Sequence, residues 1–174
     1  MSQQNSNSAS LASNVGGYLV FLMLIGVLAS VALPSFQAKL RINKQSEPKD
    51  YISLINKRQQ AYFAEKSVFS TSVKALKIRI IKTETENYKY SHHTKKATFN
   101  YGISKQKDLK SYVGGVFVIP ATKVESYSYK NPITTTSILC RADSAGTIKP
   151  PEPTYENGKI ACATGTIELR QTYD

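Results

Sequence analysis

The sequence predicts an α+β protein: one long N-terminal helix followed by a β-rich head. Three observations carry this. Residues 18–33 are an unbroken run of sixteen apolar or small residues, YLVFLMLIGVLASVAL. Residues 35–66 keep a helical pattern but become amphipathic. From residue 67 onward the signals shorten to strand-length runs rich in Tyr, Ile, Val, Phe and Thr, separated by polar or Gly/Pro segments.

Charge divides the chain sharply. All 23 Lys and Arg and all 12 Asp and Glu lie at or beyond Lys39, for a net charge of +11. The chain therefore reads as an apolar rod and a basic remainder. That remainder is long enough for one small domain and too short for two. Eleven Tyr and no Trp suit a sheet with amphipathic aromatics. The positive balance favours polyanionic partners such as nucleic acid or acidic polysaccharide, or an anionic membrane surface; a generically basic soluble surface is the plainer alternative.

Residues 1–17, MSQQNSNSASLASNVGG, are uncharged and lack hydrophobic periodicity. They read as an unstructured leader, and they lack the basic start of a standard secretory signal. Residues 18–38 follow as a transmembrane segment. As a helix, residues 18–33 span about 24 Å, so a few neutral flanking residues such as 13–17 complete a bilayer crossing. A buried helix of a soluble domain would show a polar face, which this run lacks.

Residues 39–66 form the amphipathic half. Leu40, Tyr51, Ile55, Gln59 and Tyr62 fall near one face, widened by Ile52, Leu54 and Phe63. Pro48 removes a backbone donor and disfavours helix at Glu47, so a kink or break is expected there.

Residues 67–174 are the head. Candidate strands are 78–82, 88–91, 98–103, 112–119, 137–142, 159–163 and 166–169, a spacing that suits hairpins in an antiparallel sheet. Gly114-Gly115 inside the best strand predicts a bulge or a close backbone approach. Lys149-Pro150-Pro151-Glu152-Pro153 reads as an extended surface loop. Cys140 and Cys162 are an even pair in a chain that reads as exported, which suggests one disulfide; two buried thiols are the alternative.

Chemistry is sparse. His92-His93 would point to opposite faces of a strand, a poor metal site. No GxSxG, HExxH or glycine-rich phosphate loop occurs, so neither an enzyme nor a cofactor is expected. Aromatics and cations interleave at Tyr88, Lys89, Tyr90, Lys95 and Lys96, and again at Tyr127, Tyr129 and Lys130. Such surfaces can follow phosphates and stack bases, whereas ordinary half-buried strands produce the same alternation.

Three stretches together resemble the type IV pilin family and, more closely, the pilin-like G/H proteins of cyanobacteria. They are GVLASVALPSFQAKLRINKQSEPKDYISLINKRQQAYFAEKSVFS at 26–70, SYVGGVFV at 111–118, and SILCRADSAGT with ACATGTIEL around the two cysteines. The resemblance implies a type IV pilin fold: a long helix kinked at Pro34, its second half packed on a four-stranded antiparallel sheet. It implies a subunit of a pilus, or fimbrium, or of a pseudopilus. That subunit would wait in the inner membrane as a single-pass protein with its head outside the cytoplasm. Inner-membrane assembly machinery would then draw it into a filament of like subunits. Small residues Gly26, Ala29 and Ser30 would let neighbouring rods approach.

Family leaders end in Gly before an aromatic or Met residue, with Glu at the fifth mature position. Gly17-Tyr18 matches the junction, but the fifth residue from Tyr18 is Leu22. Counting back from Pro34 instead places the start at Ser13, after Ala12, with Gly17 where Glu should stand. Neither register has the acid, which points to a minor or divergent pilin. The leader also lacks the basic residues usual in the family, so leader cleavage and N-methylation, at Gly17-Tyr18 or after Ala12, are not implied by the resemblance. The alternative is an uncleaved, membrane-anchored accessory protein whose basic head captures DNA or acidic polysaccharide. Lys39, Arg41 and Lys44 follow the apolar run, which alone would favour a cytoplasmic head; the cysteines favour the outside.

Overall fold

A computed structural model describes the secondary structure of residues 6–79, 82–120 and 133–170, and within these the side chains of residues 17–25 and of 33 onward. The chain divides into two compact units, Met1–Ile42 and Asn43–Asp174. One helix, α1 (Ser6–Lys66), contributes to both.

In the first unit α1 starts at Ser6, inside the stretch read as an unstructured leader, and that expectation is corrected. Extending a helix adds a hydrogen bond per residue, whereas nucleation is the costly step, so polar residues can prolong a helix that the apolar run has nucleated. The large apolar side chains of residues 18–25 are 46–73% exposed, and Leu33, Phe36, Leu40 and Ile42 are exposed as well. Leu40 therefore does not belong to the buried stripe. Among the described residues no helix is long and apolar enough to cross a membrane, so the span expected over 18–38 is not found in them. The side chains of residues 26–32, in the middle of that run, lie outside the described set.

In the second unit α1 buries Pro48, Tyr51, Ile52, Ile55, Asn56, Gln59 and Phe63, a three-and-four spacing that forms a single stripe. Leu54, expected to widen that stripe, is exposed. The helix does not break at Pro48. The residue is fully buried, and its Cβ lies 3.0 Å from where a Cβ on Gly102 would stand. The proline ring serves as a packing element against the sheet, which offsets its lost backbone bond. The helix ends at Lys66 with Ser67 in the left-handed region (φ 57°), its amide donating to the Phe63 carbonyl at 2.7 Å.

Among the described residues the sheet has five antiparallel strands, one more than the resemblance implied: β1 (Tyr88–Thr94), β2 (Ala97–Ser104), β3 (Lys110–Pro120), β4 (Ile133–Ala145) and β7 (Thr166–Glu168), in the order β1-β2-β3-β4-β7. A separate hairpin pairs β5 (Thr154–Glu156) with β6 (Lys159–Ala161). Its turn is Asn157-Gly158, both at positive φ (52° and 77°), as a tight two-residue hairpin requires. The strand expected at 78–82 is absent from its described residues, and residues 80–81 lie outside them. Leu76 and Ile78 instead bury their side chains beside a short 3-10 turn, Val73–Leu76.

Both faces of the sheet are covered. Toward α1 sit Tyr88, Tyr90, Tyr112 and Leu139; on the other face sit Phe99, Tyr101, Val113 and Phe117, with Tyr155 and Ile160 of the hairpin packed over them. The central strands β2 and β3 are therefore buried almost throughout rather than in alternate positions. The proline-rich segment 149–153 is not simply a surface loop: Pro150 and Pro153 are buried. The disulfide Cys140–Cys162 holds this second layer, with Cα atoms 5.8 Å apart.

Candidate functional site

Gly114 and Gly115 serve opposite faces, as adjacent strand residues must. A Cβ on Gly114 would lie 2.5 Å from Ile52 Cγ2 and 2.6 Å from the Asn56 amide; one on Gly115 would lie 2.7 Å from Pro153 Cγ. The pair marks close approach on both sides. The bulge of β3 lies elsewhere, between Lys110 and Tyr112.

Polar residues fix the helix on the sheet. Asn56 Nδ2 donates to the Ile138 carbonyl (3.1 Å), and its Oδ1 accepts from Asn100 Nδ2 (2.8 Å). Gln59 clamps Ser70, donating to its carbonyl and accepting from its amide, both at 2.9 Å. Both amide side chains are fully buried, where unmade hydrogen bonds would be expensive. Gln59 was legible from its place on the helix face. Asn56 was missed; its only signal is its position four residues after Ile52.

Of the interleaved aromatics, Tyr88 and Tyr90 do not form a base-stacking surface. Tyr88 is 0% and Tyr90 8% exposed, both in the core facing α1. Tyr90 donates to Glu47 Oε1 (3.2 Å) and Tyr88 to the Lys110 carbonyl (3.2 Å). Burial raises the pKa of both hydroxyls above the ordinary tyrosine value, and the Glu47 charge adds to it. Lys89, Lys95 and Lys96 are exposed without aromatic partners from this strand. Tyr127, Tyr129 and Lys130 lie outside the described residues, as do the side chains of Gly26, Ala29 and Ser30.

His92 and His93 point apart. His92 Nε2 donates to the Thr71 carbonyl (2.7 Å). His93 stacks on Tyr101 (centroids 5.9 Å, 18° between planes) and pairs with Glu152 at 3.1 Å. The Tyr101 hydroxyl donates to the same Glu152 oxygen (2.7 Å), and Lys149 Nζ sits 4.0 Å from the Tyr101 ring centroid. These contacts bind segment 149–153 to the outer sheet face, a role that sequence reading did not find. Among the described residues no group of three or more His, Cys, Asp or Glu could hold a metal ion.

Among the described residues, the large apolar side chains left exposed on α1 of the first unit are those of residues 18–25 with Leu33, Phe36, Leu40 and Ile42. Gly17 lies at the start of this band, with open space around its Cα, and Tyr18 is 71% exposed. Pro34 lies in helix, in the same unit. Residues 45–163 match the family model described as type IV pilin-like G and H. No curated protein and no solved structure matches the chain.

Proposed function

Because the chain belongs to the type IV pilin-like G and H family, we propose that it is a minor or divergent subunit of a type IV pilus or pseudopilus. In this reading it is held in the inner membrane by residues 18–38 until other subunits receive it. The observation that carries this is the exposed apolar band. Eight consecutive large apolar residues, 18–25, stand open on a helix with no charge before Lys39. Reburying them contributes on the order of 10 kcal/mol. Lipid before assembly and neighbouring rods afterward are the two environments that supply this burial. Gly26, Ala29 and Ser30 favour close helix approach, and Pro34 offers a point at which the rod can bend.

The family is structural, and catalysis forms no part of this reading. The Cys140–Cys162 disulfide supports a head outside the cytoplasm. The minor role rests on the missing acid: the place where family members carry Glu holds Leu22 in one register and Gly17 in the other. A subunit without that carboxylate cannot pair a neighbour's terminal amine in an apolar bundle, where an unpaired charge is costly. Processing at Gly17-Tyr18, or after Ala12, is part of the same proposal.

The test is fractionation of native cells, with mass analysis of the mature N-terminus. The expected result is protein in the membrane fraction and, at low stoichiometry, in sheared surface filaments. Recovery as the dominant filament component would overturn the minor role. Recovery in the soluble cytosol with reduced cysteines would overturn the whole reading.

A further inference from the structure

A cavity of about 230 Å³ opens between α1, the segment 71–74, residues 82–83 and β1. We propose that it binds one ring of an acidic saccharide, a pyranose bearing a carboxylate. Its apolar walls are Tyr51, Ile55, Tyr90 and Val73, and Ser72 and Thr83 are among the other lining residues. Aromatic and aliphatic walls suit the C–H face of a sugar, and polar lining residues suit its hydroxyls. The volume is below the roughly 300–1,000 Å³ of sites for drug-sized ligands, so it fits a single ring.

The walls are built before any ligand arrives. The Tyr51 hydroxyl accepts from the Lys82 amide (2.8 Å) and donates to the Lys82 carbonyl (3.1 Å). On the opposite side Gln59 clamps Ser70, Thr94 Oγ1 donates to the Ser70 carbonyl (3.2 Å), and His92 holds the Thr71 carbonyl. A site preorganised in this way loses less entropy on binding.

The sign of the ligand comes from charge. Lys74 and Lys82 line the cavity. Lys82 is paired with Glu47 at 3.2 Å, which leaves Lys74 as the cation available to a carboxylate at the rim. Among the residues that line the cavity the two with charged side chains, Lys74 and Lys82, are both cations. The local field therefore attracts anions. The proposal does not rest on the filament reading.

The test uses the full-length chain in neutral detergent, with trigalacturonate as probe and its uncharged galactose trimer as control, followed by calorimetry at low salt. Trigalacturonate should bind, and the neutral trimer at least fivefold more weakly. Lys74→Glu reverses an exposed charge without touching the core and should weaken binding about fivefold or more. Lys95→Glu, an equal reversal at the exposed β1–β2 turn, should change it less than twofold. Equal losses for Lys74→Glu and Lys95→Glu would mean general attraction to a basic surface and would overturn the site. Equal binding of the neutral trimer would overturn the carboxylate assignment. No binding of either sugar would overturn the proposal entirely.

Discussion

Replacing Gly114 with alanine should be the most destructive single-methyl change in the head. The new Cβ would stand 2.5 Å from Ile52 Cγ2 and 2.6 Å from both polar atoms of the Asn56 amide. None of these can retreat cheaply. Ile52 is 0% exposed, and Asn56 is bonded to both the Ile138 carbonyl and Asn100. Overpacking of this kind costs about 1–3 kcal/mol. Displacing the Asn56 amide strands buried polar groups, at about 1–3 kcal/mol more. Gly114→Ala should therefore lose about 2–6 kcal/mol. The assay is urea unfolding of the full chain in detergent, followed by tyrosine fluorescence and circular dichroism. A double-mutant cycle with Ile52→Ala isolates the clash. The double variant should be more stable than the two single losses predict, by about 1 kcal/mol or more. A loss under about 0.5 kcal/mol for Gly114→Ala would refute the argument that this glycine is needed for close approach of helix and sheet.

Three further outcomes follow from the same packing. Tyr88, Tyr90 and Tyr101 have folded pKa values raised by burial, so the native state holds protons that the unfolded state releases above about pH 10. Stability should be fully present below pH 10 and then fall by about 1.4 kcal/mol per pH unit for each of them. Tyrosinate absorbance should then rise together with unfolding; three tyrosines ionising at pH 10 in the folded protein would contradict this. Replacing both cysteines with serine opens a loop of sequence separation 22 and should cost about 3 kcal/mol, read as a lowered urea midpoint. Glu152→Gln weakens the contact with Tyr101 and His93, and segment 149–153 should become susceptible to limited proteolysis while the five-stranded sheet persists. Unchanged protection would mean that the disulfide and Pro153 alone hold the segment.

Much of the fold was legible in the sequence because periodicity reports burial. The helix stripe at Tyr51, Ile55 and Gln59 followed from spacing, and six of the seven candidate strands overlap observed ones. The failures have specific causes. Tyr88 and Tyr90 alternate with lysine and serine, and that pattern cannot tell a tyrosine stacked on solvent from one buried under a helix. The helix over Tyr90 comes from residues 47–55, far away in sequence. The second layer was missed because a proline-rich run reads as loop chemistry. Its burial depends on Gly115, whose missing side chain makes room for Pro153. Asn56 was missed because composition treats asparagine as surface. Its partners, Asn100 and the Ile138 carbonyl, are brought to it only by the sheet register.

The extent of the family match, residues 45–163, has a physical counterpart in the two units. All of it lies in the unit that buries its own core, where positions have distinct neighbours: Gly114 against Ile52, Gly115 against Pro153, Gln59 against Ser70. A substitution there meets a particular atom, so residue identity carries information along the sequence. The side chains of residues 18–25 are instead 46–73% exposed. In the filament reading they need only be apolar and small enough to rebury, a condition that Leu, Ile, Val, Met and Phe satisfy interchangeably. The two halves of the molecule should therefore respond differently to mutation. Leu↔Ile and Leu↔Met exchanges over 18–25 should leave head stability and membrane recovery unchanged. Comparable exchanges at Ile52 or Leu139 should lower the urea midpoint. A single such exchange within 18–25 that blocks membrane recovery would mean that this half too has shape-specific contacts, and burial alone would no longer account for it.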